Sequence, residues 1–105
     1  MKLFSDPDLK HEIDVIHFGT VEAGTSKMIT IYLFNDSEAD LTNLTFEFPA
    51  LPEKSLEIVD APVTLHPKET GKLILKWSPT LKFKKPLQVP IVINAEEIYL
   101  AEVAV

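Results

Sequence analysis

An all-β sandwich is the fold this sequence predicts, and three observations predict it. Apolar residues alternate with polar ones in short runs, as strands with one buried face require. Clusters of Gly, Pro, Asn, Asp and Ser punctuate the runs. No stretch shows the three-and-four spacing of an amphipathic helix. About seven short antiparallel strands separated by turns are expected to pair into two packed sheets.

Residues 1–12 are polar and carry Asp6-Pro7, a turn signal that also disfavours helix before the proline. They read as an N-terminal arm, whose Leu3 and Phe4 either cover the domain's own surface or dock on a neighbour. Residues 13–105 read as the sandwich domain. In residues 13–18, Ile16 and Phe18 share one face, with Ile13, Val15 and His17 on the other. Gly19 and Gly24 then fall in one short connection, where left-handed backbone is expected. Residues 27–35 alternate clearly, with Ile29, Ile31 and Leu33 against Met28, Thr30, Tyr32 and Phe34.

A polar loop over residues 35–40 leads to a strand over 41–48 that groups Leu44, Phe46 and Phe48 and ends at Pro49 and Pro52. Short apolar runs follow at 56–59 and 63–65. After the turn His66-Pro67-Lys68-Glu69-Thr70-Gly71, residues 72–78 set Leu73, Leu75 and Trp77 against Lys72, Ile74 and Lys76. Leu87, Val89, Ile91 and Ile93 line the next strand, whose Pro90 implies a free edge nearby. Residues 94–97 turn, and 98–105 form the last strand.

Composition narrows the function classes. At 105 residues the chain is one domain, expected to bury roughly two-thirds of its unfolded surface. It has no cysteine, which excludes disulfides and thiolate zinc sites. Its net charge of -6 disfavours nonspecific binding to nucleic acid or anionic membranes. Acid and proline interrupt the first apolar residues, so no secretory signal is expected; no apolar run reaches the roughly 18 residues of a spanning helix, so a soluble protein is expected.

No catalytic apparatus is visible. His11, His17 and His66 have no metal-ligand spacing, and no serine sits in a glycine-flanked elbow. The chain therefore reads as a non-enzyme without cofactor or metal. Asp36, Glu38 and Asp40 alternate as calcium ligands do, but the loop glycine and the distal glutamate are missing. Lys82, Lys84 and Lys85 around Phe83 form the basic cluster, which reads as a solvated loop. The triplets Asn35-Asp36-Ser37 and Asn43-Leu44-Thr45 fit glycosylation only in a secreted protein.

The informative feature is a second apolar face. If Ile29, Ile31 and Leu33 enter the core, then Ile13, Val15, Met28, Tyr32, Phe34 and Ile74 point outward. With Leu3 and Phe4 from the arm they make the candidate protein interface, since monomers rarely expose large apolar patches.

Phe18-Gly19-Thr20-Val21, Gly24, the alternating strand ending in Asn35, and Leu65-His66-Pro67-Lys68-Glu69-Thr70 before Leu73 to Pro79 follow one another in a familiar order. The arrangement over residues 13–94 resembles the immunoglobulin-like ASH family, which is related to the major sperm protein domain. The resemblance implies an immunoglobulin-like β-sandwich of about seven antiparallel strands. By analogy with small immunoglobulin-like auxiliary proteins of tailed-phage virions, it implies a capsid-decoration, tail or neck component. Such a component would contact a capsid or tail protein, or further copies of itself. The alternative it implies is a cytoplasmic scaffold or adaptor that binds a peptide by strand addition, at the edge nearest the N-terminus. Virion and cytoplasm are the corresponding locations.

Overall fold

In the computed structural model, which describes residues 1–48, 55–79, 87–94 and 97–104, the alternating runs become strands, and the described residues contain no helix. The strands are β1 (Lys2–Phe4), β2 (Glu12–Ile13), β3 (Val15–Thr20), β4 (Lys27–Phe34), β5 (Phe46–Glu47), β6 (Leu56–Asp60), β7 (Thr70–Trp77), β8 (Leu87–Ile93) and β9 (Glu97–Ala104). Two sheets form a sandwich-like all-β fold. The first has the order β2-β1-β4-β7-β6 and the second β3-β9-β8-β5. All described pairings are antiparallel except β3 with β9, which is parallel.

The long alternations carry the core. β4 pairs with β7 along its whole length, so Ile31 faces Leu73 and Ile29 faces Leu75. Cross-strand partners share a face, and that face is buried: Ile31, Leu33, Leu73, Leu75 and Trp77 pack toward the second sheet. Ile16 and Phe18 of β3, Ile91 and Ile93 of β8, and Ala101 and Val103 of β9 meet them. The Phe18 and Trp77 rings lie 6.1 Å apart with their planes tilted by 46°. Both glycines take left-handed backbone as expected, but in different places: Gly24 (φ 87°) in the turn between β3 and β4, and Gly19 (φ 74°) inside β3, where its register against β9 shifts.

Three expectations need correction. Residues 1–12 are not an appended arm: β1 is an internal strand between β2 and β4, and Leu3 is fully buried opposite Leu33. Three residues are too few for a periodic signal, so the strand is set by its neighbours. Next, residues 13–18 do not keep one alternation. The chain changes sheet at Asp14, so Ile13 lies opposite Leu3 on the inner face of the first sheet while Val15 lies opposite Leu100 on the second. Lastly, the expected strand over 41–48 shrinks to β5 plus an isolated bridge between Leu41 and Leu65. Asn43 takes a left-handed φ of 52°, which breaks extended backbone there.

β8 is internal, but β5 covers only Val92 and Ile93, which leaves the Pro90 stretch without a described neighbour on that side. Pro49, Pro52, the Lys82, Phe83, Lys84 and Lys85 cluster, and the middle of the 94–97 turn lie outside the described residues. No helix among the described residues is long and apolar enough to cross a membrane.

Candidate functional site

The site begins with a mismatch in strand length. β4 has eight residues and β1 only three, paired at Phe34, Leu33 and Tyr32. Residues 27–31 of β4 therefore keep one side that no described strand covers. β1 ends where it does because the next residues fold into a tight loop. The Asp6 carboxylate accepts hydrogen bonds from the backbone N–H of Lys10 (3.1 Å) and His11 (2.8 Å), while Ser5 N–H donates to His11 O (3.0 Å). Burial works against the Asp6 charge, but these N–H donors outweigh it and hold its carboxyl below the ordinary carboxylate value. Leu9 completes the reversal with a φ of 57°.

The chain returns as β2, crosses at Asp14 and continues as β3, the terminal strand of the second sheet. A groove of about 390 Å³ opens between this crossing and the uncovered side of β4, lined by Ser5, Ile13, Val15, His17, Lys27 and Ile29. Ile13 and Ile29 are half-buried and pack against the core, so the groove floor is apolar. Its walls are polar. Lys27 reaches across to β3, with its Nζ only 3.2 Å from where a Cβ on Gly19 would stand. His17 Nδ1 lies 3.6 Å from a Glu102 carboxylate oxygen. Glu12 and Asp14 flank Ile13 in sequence but line a separate pocket.

The predicted interface residues do not form one surface. Phe4, Tyr32 and Phe34 do come together on the outer face of the first sheet, where Phe4 is opposite Tyr32 and its ring meets Phe34 edge-on at 6.4 Å. That contact buries Phe4 and leaves Tyr32 and Phe34 half-buried. Ile74 is half-buried on the same face, opposite Thr30, and Met28 is the exposed member at 56%. Leu3 belongs to the core. Ile13 and Val15 instead line the groove.

The reading of the sequence missed the outer face of the second sheet. There Ile98 (66% exposed) lies opposite Val92, and Leu100 (37% exposed) opposite Pro90 and Val15. The signal was present in β9, where the small Ala101 and the Val103 face inward and the larger Ile98 and Leu100 face outward.

The charged groups are distributed rather than convergent. Asp36 contacts the Met1 ammonium (3.2 Å), Glu38 the Lys68 ammonium (3.6 Å) and Asp40 the His66 ring (2.9 Å), so each carboxylate of the polar loop faces a different partner. The Met1 ammonium also meets Glu97 at 3.0 Å; burial would lower its pKa, but these two carboxylates raise it above its ordinary value. Tyr99 donates its hydroxyl to Met1 O at 2.6 Å, and burial beside Glu97 pushes that phenol well up. No group of three His, Asp or Glu among the described residues is placed to hold a metal ion. What the groove offers, among the described residues, is a side of β4 that no strand covers, beside an apolar floor.

No protein family, no curated protein and no solved structure matches this chain.

Proposed function

We propose that the protein is a non-enzymatic binding module that takes up an extended segment of a partner protein by strand addition along residues 27–31 of β4. One observation carries this reading: the uncovered side of β4 runs beside a groove with an apolar floor. Strand addition needs both parts, because main-chain hydrogen bonds supply affinity and alternate side-chain pockets supply selection. The immunoglobulin-like type belongs to the same proposal. The order β1-β4-β7-β6 against β5-β8-β9 corresponds to the four-strand and three-strand sheets of such a sandwich, which supports it. On this reading the protein is a scaffold or adaptor, and the edge is its adaptor surface.

The test is a titration of isotope-labelled protein with the capped peptide acetyl-Val-Thr-Val-Thr-Asn-Thr-amide, followed by amide NMR. Shifts and slowed hydrogen exchange concentrated at residues 27–31 are expected. Binding elsewhere, or no binding at millimolar peptide, removes the proposal.

A second reading, a multi-copy auxiliary component of a phage particle, is supported by the exposed pair Ile98 and Leu100, because flat apolar sheet faces are natural contact surfaces. Light scattering separates the two: self-association abolished by Ile98→Lys with Leu100→Lys favours the second, and a monomer at all concentrations removes its self-assembling form.

A further inference from the structure

We infer that the segment taken up by this groove carries an aliphatic residue opposite Ile29 followed two positions on by an acidic residue that meets Lys27. The inference rests on the strand-addition reading and specifies the partner's chemistry. β1 runs antiparallel to β4 with Phe4 opposite Tyr32, so Ser5 falls at the Ile31 position, and an incoming strand that continues this line past Ser5 meets Thr30, Ile29, Met28 and Lys27 in that order. Partners directly opposite share a face. Leu33 and Ile31 face the core and Trp77, opposite Lys27, is fully buried, so positions 31, 29 and 27 all point to the inner side.

The side chain opposite Ile29 therefore enters the groove, against Ile13 and Val15. Aliphatic residues suit that floor, and β-branched ones suit the extended backbone. The position opposite Lys27 is different. The lysine spans the groove end toward Gly19, and among the described residues no carboxylate lies within ion-pair distance of it. On a chain with a net charge of -6, this cation marks the end of the groove that favours an anion. Lys27 stands at one end of the groove, which gives the segment a direction.

The probes are acetyl-Val-Thr-Val-Thr-Asp-Thr-amide and its Asn counterpart, titrated into wild-type protein and into Lys27→Glu by amide NMR. On the wild type the Asp peptide is expected to bind about two- to fivefold tighter than the Asn peptide, the range an exposed ion pair supplies. That gain shrinks at high salt. In Lys27→Glu the order of the two peptides inverts. A peptide with the Asp moved to the first position is expected to lose the gain. Equal binding of Asp and Asn peptides at residues 27–31, with no inversion in Lys27→Glu, overturns the acidic specification while leaving strand addition standing. Failure of every peptide to bind overturns both.

Discussion

The side-chain amide of Asn35 donates to the carbonyl of Leu65 at 3.0 Å, across thirty positions of sequence, from a residue with no solvent exposure. The same amide nitrogen donates to Ala39 O at 2.8 Å, and the amide oxygen accepts from Ser37 N–H and Ser37 Oγ at 3.0 and 2.7 Å. One buried side chain thus closes the loop after β4 and ties it to the turn before β7. Asn35→Ala is expected to cost roughly 2–3 kcal/mol, since several bonds worth about 1 kcal/mol each disappear together. The cost stays moderate because Leu65 O keeps the backbone N–H of Leu41 and Ala39 O keeps the Ser37 hydroxyl. Urea unfolding checks it, and a change below about 0.5 kcal/mol, the range of neutral surface substitutions, contradicts this role.

Leu3→Ala tests whether the N-terminal residues belong to the fold. Leu3 is completely buried and enclosed between Ile13 and Leu33, so truncation leaves a core cavity and is expected to cost about 2–4 kcal/mol. Lys2→Ala, on the exposed neighbour, is expected to stay within about 0.5 kcal/mol. Thermal melts of the two variants at equal concentration make the comparison. Equal behaviour would restore the reading of residues 1–12 as an arm.

The contrast between Leu3 and Leu33 also shows which parts of the fold a sequence can reveal. Leu33 sits in an eight-residue alternation whose period assigns it to the core without any partner, and the same holds for Leu73, Leu75 and Trp77. Leu3 has no such run, and only its pairing with β4 places it. The crossing at Asp14 is hidden for a different reason: apolar residues continue at 13 and 15 as if in one strand, while the backbone leaves one sheet for the other. The groove is a product of both, a short β1 and an early crossing. Its floor residues Ile13 and Ile29 are legible as apolar, but that one side of β4 lacks a described neighbour is a property of pairing lengths, which local patterning does not encode.

Phe34→Lys and Met28→Lys separate a structural from an exposed position on the same face. The first removes an edge-on ring contact with Phe4 and is expected to cost roughly 1–2 kcal/mol. The second replaces a side chain already 56% exposed and is expected to be within about 0.5 kcal/mol of wild type. Chemical denaturation of each single variant measures the difference. If both are neutral, the Phe4, Tyr32 and Phe34 cluster contributes nothing to folding and the outer face is free to serve as a contact surface.

His66 and Asp40 supply a pH dependence whose sign is fixed by their geometry. The His66 ring lies 2.9 Å from the Asp40 carboxylate, and that hydrogen bond, reinforced by the Asp40 and Glu69 charges, raises the imidazole pKa above its ordinary 6.5. Because the folded value exceeds the unfolded one, the folded state binds this proton more tightly, and linkage makes the contribution complete below pH 6.5. It is lost as pH rises through the raised folded value. Both side chains are well exposed, so the effect on total stability is small and screened by salt. The sharper measurement is the titration of the His66 ring proton by NMR. A midpoint above 6.5 is expected in the wild type, and Asp40→Asn is expected to move it down toward the ordinary value. A midpoint unchanged by Asp40→Asn would show that the two side chains do not hold this contact in solution.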